Sequence, residues 1–466
     1  MTKKRLLMVC YGFPPIGGGG VPRPLKMAKY LGDFGWDVTV LTVEPGYHAT
    51  LDHSLLQEVP PSVQIVRAKE WKVFARGGAA APTPAVQSQE ANPAAPSAKA
   101  RLKKTIIAFL KKVRPYLMIP DDQILWYPQA VKTGQELMKR EKFDAIFSTS
   151  GPATNHLVAK KLADEFGCKW IADFRDPWTQ NMHQTGIEWR EALEERLERG
   201  VMARADVVTT VTATFVEMFS EKYGDTIKAI KLIYNGFDRS DFADLQPQFE
   251  VPDRFHAVYA GILYQKRNPR LLLEAVRELI DEGRVEQSDI LFSFAGVFDY
   301  PGYTENRDCV ERLQLGEQVR LLGNLPHKQA LGLMKGGDAL LLVGDVSADA
   351  GAYIPGKLYE YMGIGKPILA LNMAGEATEI IQQFQLGEVC DPTDKAQIKQ
   401  AYLALYQAWK AQRAQQAAGG VEGATRDDAS FYERVKPYER RYQAEQLALE
   451  LDKLLAMEQR KEPSHV

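Results

Sequence analysis

The sequence predicts an α/β protein made of two domains, each a doubly wound parallel sheet. Short apolar runs alternate with amphipathic helical segments along most of the 466 residues. This length exceeds what a single hydrophobic core usually holds. The alternation stops in a polar stretch with two prolines, residues 239–253, and then begins again. We therefore place the first domain at 1–245 and the second at 246–430, and leave open whether a C-terminal helix in 431–466 returns to the first domain.

The first half supplies a βα series that starts near the N-terminus. Its strands are predicted from compact apolar runs that end in turn residues, at 5–11, 38–42, 143–148, 169–172, 207–211 and 230–234. Helical spacing of apolar residues predicts helices at 25–31, 126–139, 154–166, 188–205 and 214–222. Because the turns between these elements are short and strands alternate with helices, the sheet should be parallel.

The second half repeats the pattern. Strands are predicted at 257–260, 290–295, 319–322, 339–343 and 368–371. Helices are predicted at 270–281, 328–335, 357–362, 378–384 and 395–410, with a final helix over 431–457. Residues 411–428, rich in Gln, Ala, Gly and Asp, are predicted to be a loose connection.

Two neighbouring segments interrupt the first domain. Residues 76–100 are rich in Ala, Pro, Gln and Ser and have almost no large apolar side chains, so we predict a disordered insertion. Residues 101–114 then form a basic amphipathic pattern with one apolar stripe. This helix either packs on the domain or lies on an anionic membrane surface.

The composition excludes several classes of protein. A formal net charge of −2 gives no support for nucleic-acid binding by the molecule as a whole. The four cysteines are widely spaced and match neither a disulfide framework nor a metal site. The apolar run at the N-terminus is too short for a signal peptide, and no stretch has the length of a membrane span. These features predict a cytoplasmic protein, with peripheral contact to the membrane left open.

The stretch 351–371 carries the strongest indication of a binding site. Pro355 and Gly356 precede a helix, and the free N–H groups of a helix N-terminus favour an anion. Lys357 and Glu360 lie on one face of that helix, and a buried strand follows. The pattern is compatible with plain αβ structure, but it also suits a nucleoside diphosphate.

Glycines and charged residues follow the first strands of both halves. Gly17–Gly20 form a glycine-rich turn after the first strand, where ligands approach the backbone of an open sheet. The third glycine position of the dinucleotide fingerprint is Pro22, which argues against a nicotinamide cofactor. In the second half, Lys266 and Arg267 occupy the corresponding loop, where paired cations suit a diphosphate unless they are merely solvated.

A charged cluster follows the strand predicted at 169–172. Asp173, Arg175 and Asp176 stand between aromatic residues at the carboxyl end of that strand. Acidic groups beside an arginine are candidates for shifted pKa values and catalytic work. The alternative is an internal ion-pair cluster that pins the loop.

Taken together, these motifs resemble a GT-B-fold glycosyltransferase of family 4, the group 1 retaining enzymes that use nucleotide sugars. The resemblance covers nearly the whole chain. It rests on an ordered set of segments: FPPIGGGGVPRP, SGPATNHLVAKKLA, ADFRDPWT, IYNGFD, YAGILYQKRNP, LLGNLP and PGKLYEYMGIGKPILA. It implies two Rossmann-like domains that face a central cleft, with the donor nucleotide bound mainly by the second and the acceptor by the first.

The resemblance also implies roles for individual residues. Donor phosphates would contact the loop and helix start at Pro355, Gly356, Lys357 and Leu358, while Glu360 would bind the ribose hydroxyls. Gly261 would contact the donor, and Lys266 or Arg267, in the loop after Gly261, would neutralise the diphosphate leaving group. The remaining implied donor contacts are Gly18 and Gly19 in the glycine-rich turn, and Asn324 and Leu325 beside the base. Asp173 or Asp176 would orient the acceptor hydroxyl.

Three departures from the family pattern bear on the substrate. The first glutamate of the family's acidic pair is replaced by Ala352, with Asp349 as a nearby candidate. The arginine usual after the domain-opening glycine is Ile262, and a histidine usual after the strand ending at Ala172 is absent. The change at Ala352 affects contacts to the donor sugar's hydroxyls, and therefore the identity of the sugar, while Ile262 leaves Lys266 and Arg267 to carry the charge.

The predicted activity is transfer of a hexose-type sugar from a nucleotide diphosphate donor to a cell-envelope glycan or lipid-linked acceptor, with retention, as in polysaccharide biosynthesis. The chain has no D-x-D triplet, so no metal and no separate cofactor is expected. Two alternatives stay open: a nucleotide-sugar 2-epimerase on the same fold, and a non-catalytic envelope-assembly protein.

Overall fold

The computed structural model describes residues 3–46, 50–71, 114, 116–181, 185–347, 350–418 and 429–459. The predicted insertion at 76–100 and nearly all of the basic segment 101–114 lie outside the described residues. Contacts divide the described chain into two compact units. The first unit comprises residues up to Val211, Phe215–Ile233 and the chain from Ala444 onward; the second comprises Thr212–Thr214 and Tyr234–Gln443.

The first unit contains a seven-stranded sheet in which all strand pairs are parallel. Its strands are β1 (Lys4–Val9), β2 (Trp36–Val43), β3 (Gln64–Ala68), β4 (Ala145–Thr149), β5 (Lys169–Phe174), β6 (Val207–Thr210) and β7 (Ile230–Leu232). The order is β3-β2-β1-β4-β5-β6-β7, so the direction of winding reverses between β1 and β4. Ligands of open α/β sheets bind at the carboxyl ends of the strands on either side of such a reversal.

Helices flank this sheet. They are α1 (Pro22–Leu31), α2 (Tyr127–Arg140), α3 (Thr154–Phe166), α4 (Glu188–Arg204) and α5 (Ala213–Tyr223). The C-terminal helix also packs here, because Ala444, Leu447 and Leu451 share a buried cluster with Leu6 and Trp36. The Trp36 indole N–H donates to Asp452 at 3.0 Å, which fixes the same helix at the sheet.

The second unit contains a six-stranded parallel sheet in the order β10-β9-β8-β11-β12-β13. Its strands are β8 (Phe255–Ile262), β9 (Ile290–Val297), β10 (Val319–Gly323), β11 (Ala339–Val343), β12 (Ile368–Leu371) and β13 (Gly387–Cys390). The winding reverses between β8 and β11, which are paired through Leu340 and Val258. This reversal is the expected ligand position of the second sheet.

Two buried clusters cover the faces of the second sheet. The helices of this part of the chain are α6 (Arg270–Asp281), α7 (Glu305–Arg312), α8 (His327–Gly336), α9 (Gly356–Ile364), α10 (Glu376–Gln383), α11 (Lys395–Ala417), α12 (Ala429–Val435) and α13 (Arg440–Gln459). Alternate residues of β11 enter the two clusters: Leu341 packs with the α6 and α11 side, and Leu340 with the α8 and α9 side. A strand that is apolar on both faces is typical of a covered parallel sheet.

The structure confirms the predicted fold class. It adds β3, β13 and α7, which were not predicted, and it corrects two predictions near the C-terminus. Residues 411–417 are helical rather than loose, because an Ala- and Gln-rich run without Gly or Pro continues α11. The single helix predicted over 431–457 is wrong. Pro437 lies in a short 3₁₀ turn, Lys436–Tyr438, between α12 and α13, since proline lacks the N–H that a helix interior needs.

Within the described residues, no helix combines the length and hydrophobicity needed to cross a membrane.

Candidate functional site

The second unit places its candidate site at the carboxyl ends of β8 and β11. Gly261 lies near the end of β8, Arg267 in the loop after it, Asp345 in the loop after β11, and Lys357 in the first turn of α9. The sequence predicted Gly261, Arg267 and Lys357 as donor contacts, and the structure brings the three together. It adds Asp345, which the sequence alone did not indicate.

Lys357 is a partly buried cation without a carboxylate partner among the described residues. Its ammonium donates to the Tyr259 hydroxyl at 2.9 Å and lies 4.3 Å from the centroid of the Tyr259 ring. Burial, reinforced by the neighbouring Arg267 charge, lowers the pKa of Lys357 to about 8. A cation held in this way is available to an external anion.

Gly261 is required by this arrangement. Its backbone has a φ of +150°, which side chains rarely adopt, and a Cβ at this position would overlap the Lys357 ammonium. The glycine therefore permits close approach of the lysine to β8.

Arg267, in contrast, already has an internal counter-charge. Its Nε and Nη2 donate to the two oxygens of Asp345 at 3.1 and 3.3 Å, and the Tyr264 hydroxyl donates to the same carboxylate at 2.7 Å. Burial, the largest effect, acts to lower the pKa of Arg267, but the Asp345 carboxylate and the hydroxyls of Tyr259 and Tyr264 together outweigh it, and the pKa is raised. Lys266 has an exposed side chain, while its carbonyl accepts from the Val346 N–H at 3.0 Å. The loop thus holds Arg267 rigidly and leaves the Lys266 ammonium at the surface.

The N-terminus of α9 has no side-chain cap. Pro355 precedes the helix, Gly356 is exposed, and Leu358 is fully buried, so these three predicted residues contribute backbone and shape rather than side-chain chemistry. Uncapped N–H groups and the helix dipole favour an anion at this end. Lys357 lies within the same turn, which adds a full charge to the partial one.

Glu360 lies one turn further along α9. Its carboxylate is 3.2 Å from Nε2 of His327, the first residue of α8. Asn324 is exposed and Leu325 is half-buried in the turn before α8, and the contact between His327 and Glu360 places the end of this turn beside α9. His327 was not identified from the sequence, since nothing in its local pattern marks it.

Two buried polar atoms mark the same sheet edge. The Ser347 hydroxyl and the Asn372 side-chain carbonyl are both buried without a hydrogen-bond partner among the described residues. Asn372 follows β12 and lies against Gly344, where a Cβ would overlap its amide oxygen. Ala352 belongs to a short 3₁₀ turn, Ala350–Ala352, and supplies no carboxylate; Asp349 lies outside the described residues.

In the first unit, Asp173 is fully buried. It accepts from Nε and Nη2 of Arg23 at 2.8 and 2.7 Å, and from the hydroxyls of Thr149 and Thr209, both at 2.7 Å. Burial, the largest effect, acts to raise the pKa of Asp173, but the Arg23 charge and the hydrogen bonds from Arg23, Thr149 and Thr209 together outweigh it, and the net shift is downward. Four donors occupy this carboxylate, so its geometry is that of an internal ion pair, and its predicted catalytic role stays a prediction. Sequence reasoning missed Arg23, which lies 150 residues away.

Arg175 and Asp176 lie nearer the surface. The backbone N–H groups of both donate to the Ser150 hydroxyl, at 2.9 and 3.4 Å. The Arg175 guanidinium contacts the Asp176 carboxylate at 3.0 Å, and the Asp176 side chain is 51% exposed. Gly18 has a φ of +118°. A Cβ added to Gly18 or to Gly19 would have no atom within 4 Å, so this part of the turn is open. Gly20, next in the turn, lies against the Arg175 guanidinium.

Comparison with known families agrees with this architecture. A family described as "Glycosyl transferase 4-like domain" matches residues 18–236, and one described as "Glycosyl transferases group 1" matches residues 241–419. No curated protein sequence matches the chain.

Several solved structures are similar over nearly the whole chain. Sucrose-phosphate synthase from Thermosynechococcus elongatus is 14% identical, with a TM-score of 0.58, and the match covers 98% of this chain and 100% of that one. HepE from Anabaena in complex with UDP and glucose is 14% identical with a TM-score of 0.58, covering 97% of this chain and 100% of that one. A glycosyltransferase from Rickettsia africae is 13% identical with a TM-score of 0.58, covering 98% and 99%. At such identities the similarity shows a shared fold and not a shared function.

Together the two family matches account for most of the chain, and both sheets have the strand order of Rossmann-like units. The chain belongs to the group 1 glycosyltransferases of family 4 and has their GT-B fold.

Proposed function

We propose that this glycosyltransferase moves a hexose-type sugar from a nucleoside diphosphate donor to a cell-envelope glycan or lipid-linked acceptor, with retention at the anomeric carbon. The observation that carries the proposal is Lys357. This cation has no carboxylate partner among the described residues, and it lies at an uncapped helix N-terminus where the second sheet reverses its winding. Loss of a nucleoside diphosphate needs fixed positive charge of this kind.

The Lys357 ammonium and the free N–H groups of α9 would hold the diphosphate. Negative charge accumulates on the phosphate oxygens as the bond to the sugar breaks, so donors aimed at those oxygens stabilise the transition state more than the ground state. The cation is already fixed by the Tyr259 hydroxyl and ring, so little reorganisation is needed when the charge develops.

The loop after β8 would supply the remaining charge. Arg267 is held by Asp345 and contributes a fixed positive field, while the exposed Lys266 ammonium is free to reach a phosphate oxygen. We propose that these groups and the helix dipole do the work of a metal ion, so that the reaction needs no metal and no separate cofactor.

Glu360 would bind the ribose. Its carboxylate accepts hydrogen bonds, and its present neighbour His327 is mostly exposed and able to turn away. The turn at Asn324 and Leu325 would border the base, and the unpartnered Ser347 and Asn372 oxygens are available to sugar hydroxyls. The described part of the chain offers no carboxylate at position 352, so we expect the donor sugar to be recognised by such neutral groups.

The HepE structures support this class of donor, because they are complexes with UDP, with UDP and glucose, and with UDP-glucose. We propose that this chain also uses a nucleoside diphosphate donor, and we leave the base and the sugar unspecified.

The acceptor would bind to the first unit. The half-exposed Asp176 carboxylate is able to accept a hydrogen bond from an acceptor hydroxyl, whereas all the donors around Asp173 are internal. We propose a same-face displacement without a covalent nucleophile. We further propose that the enzyme works in the cytoplasm, on the inner face of the membrane, with the basic segment 101–114 in contact with anionic lipid.

One observation favours a second candidate, a non-catalytic envelope-assembly protein. Ala352 stands where the family has an acidic residue, which removes one contact to the donor sugar. In that case the diphosphate site would persist as a relic without transfer.

The test is a thermal-shift screen of the purified protein with UDP, GDP, ADP and their sugar conjugates, in the presence of a metal chelator. We expect one nucleoside diphosphate to raise the melting temperature, because a ligand that binds only the folded state stabilises it. The shift should be lost in Glu360→Ala and kept in Glu311→Ala, an exposed glutamate on α7. The sugar conjugate of the same nucleoside diphosphate should then transfer its sugar to an acceptor in a membrane extract. NMR of the product should show the same anomeric configuration, α or β, as the donor. Binding without transfer to any fraction would favour the non-catalytic protein, and no shift at all would contradict the donor site.

A further inference from the structure

The first unit holds a second cation at a sheet reversal, and the proposed function does not use it. Arg175 follows β5, and its side chain reaches across the carboxyl end of β4 toward the loop after β1. A Cβ on Gly151 would lie 2.8 Å from Nη2 of Arg175, and a Cβ on Gly20 would lie 2.7 Å from Nη1. Because the first sheet reverses between β1 and β4, the guanidinium stands at the ligand position of this sheet.

The side chain is held from both ends. The Ser150 hydroxyl accepts from the backbone N–H of Arg175 at 2.9 Å, and the Ser150 N–H donates to the Asp173 carbonyl at 2.8 Å. At the far end, only glycine at positions 20 and 151 leaves room for the guanidinium. The arginine is therefore placed by the fold.

The charge of Arg175 is only partly balanced. Its one counter-ion in the described chain is Asp176, whose Oδ2 accepts from Nε at 3.0 Å and also lies 3.0 Å from Nη2. That carboxylate is half-exposed, and pairs of this kind contribute little. Arg23, by comparison, has a bidentate contact to the fully buried Asp173 and a bond to the Ile233 carbonyl. Nη1 of Arg175 has no acceptor in the described part of the chain.

A backbone donor belongs to the glycine beside the guanidinium. The Gly20 N–H has no acceptor among the described residues, and Gly20 lies against the Arg175 guanidinium. A planar guanidinium next to a free amide group matches the oxygens of a phosphate or a carboxylate. Neutral sugar hydroxyls would not need this fixed charge.

We propose that Arg175, together with the Gly20 amide, binds an anionic group of the acceptor, whereas Gly18 and Gly19 stay assigned to the donor. This inference rests on the proposed function and names the acceptor class: the acceptor carries a phosphate, as in a lipid-linked diphosphate, or a carboxylate, as in an acidic sugar. Asp176 then orients a nearby acceptor hydroxyl while Arg175 holds the anion.

The experiment weakens the donor site by working in the Lys357→Met background, which removes its partly buried lysine. Because Lys266 and Arg267 remain, only the binding that is lost in Arg175→Gln is assigned to the first unit. Inorganic pyrophosphate and glucuronate are titrated calorimetrically into this protein. We expect at least one of them to bind, and Arg175→Gln to weaken that binding at least tenfold. Arg196→Gln removes the same charge from an exposed position of α4 and should leave the binding unchanged. Preference for pyrophosphate identifies a diphosphate acceptor, and preference for glucuronate an acidic sugar.

Two further variants guard against misfolding of Arg175→Gln. Gly20→Ala keeps the arginine but pushes its guanidinium away, and it should weaken anion binding as well. Arg175→Lys keeps the charge but loses the two-pronged guanidinium, and its affinity should lie between those of the unaltered residue and Arg175→Gln. Binding of UDP, GDP or ADP to Arg175→Gln, with Lys357 intact, should equal that of the unaltered protein, which shows that the donor site is not involved. The proposal is overturned if neither anion binds in the Lys357→Met background, or if Arg175→Gln and Gly20→Ala bind as well as Arg196→Gln does.

Discussion

Lys357 shows how one residue acquires a function from its surroundings. Tyr259 supplies a hydroxyl at 2.9 Å and a ring face, but no negative charge, so the lysine is held without being neutralised. Burial and the Arg267 charge together lower its pKa to about 8. A group with this pKa is a cation in neutral solution and loses its charge within the range of ordinary buffers.

We therefore predict that nucleoside diphosphate binding weakens as the pH rises through about 8. The sign follows from the charge: below the pKa the ammonium attracts phosphate, and above it a proton must be taken up before binding, so Kd should rise toward tenfold per pH unit. Calorimetric titrations between pH 6.5 and 9.5 measure this. Lys357→Arg, which stays charged throughout, should show a flat profile, and a flat profile in the unaltered protein would refute the assignment.

Gly261 gives a second prediction at this scale. Gly261→Ala should abolish nucleotide binding and destabilise the fold by about 1–3 kcal/mol, because it combines an unfavourable φ with overlap on the lysine. Gly283→Ala is the matched control: its φ is +68° but no atom lies within 4 Å, so it carries only the backbone cost, about 1 kcal/mol. Denaturant unfolding and a nucleotide titration of both variants decide the matter; equal binding by the two would count against a role for Gly261 at the site.

The sequence allowed some of these residues to be predicted but not others. Lys357 and Glu360 were found because a Pro-Gly pair, helical spacing and a strand are local signals. Tyr259 and Asp345 were not, since each is separated from its partner by about 80 residues or more and only the folded sheet brings them together. The predicted cluster at 173–176 separates into a buried aspartate and a surface pair because Arg23 comes from α1.

At the scale of elements, the buried pair of Arg23 and Asp173 joins α1 to three strands. The Asp173 carboxylate, at the end of β5, accepts from the hydroxyls of Thr149 in β4 and Thr209 in β6. Arg23 also donates to the Ile233 carbonyl, just after β7. The carboxyl edge of the first sheet, where Arg175 stands, is thus fixed by one ion pair.

Asp173→Asn should destabilise the protein by about 3–5 kcal/mol, because it leaves the Arg23 charge buried and uncompensated. Asp164→Asn breaks an exposed pair with Arg204 and should cost less than about 1 kcal/mol. Urea unfolding at neutral pH compares the two. Similar small losses would mean that the buried pair does not hold this edge of the sheet.

Elements with strong apolar periodicity were predictable from sequence, and weakly apolar ones were not. The edge strands β3 (Gln64–Ala68) and β13 (Gly387–Cys390) carry polar or charged residues and gave no strand signal. The polar helix α7 has only a narrow buried side that includes Cys309 and Val310. The end of α11 and the break before α13 depend on propensity and on Pro437 rather than on periodicity.

At the scale of the whole molecule, the C-terminal helix completes the core of the first unit. Leu447, Leu451 and Leu454 of α13 pack in the cluster that contains Leu6 and Trp36. The sequence indicates that this segment is helical, but not which sheet it covers, and for this reason its destination was left open. The two βα series were predictable because the pattern visibly begins again.

Leu451→Ala should therefore destabilise the first unit by about 2–5 kcal/mol, the usual cost of a cavity in a core. Leu449→Ala, on the same helix but 46% exposed, should change stability by less than about 0.5 kcal/mol. Denaturant unfolding measures the stability of the two variants. A calorimetric titration measures nucleotide binding by the second unit, which should be unaffected in both variants. Equal effects of the two changes would show that α13 does not belong to that core.

The central claim is that Lys357 and the start of α9 form the donor diphosphate site. The most direct measurement is a calorimetric titration, at neutral pH and with a metal chelator present, of the nucleoside diphosphate that stabilises the protein most. We predict that Lys357→Met raises Kd at least tenfold, and that Lys132→Met, an exposed lysine on α2, leaves it unchanged. Unaltered affinity in Lys357→Met, or binding that disappears when metal is removed, would contradict the account.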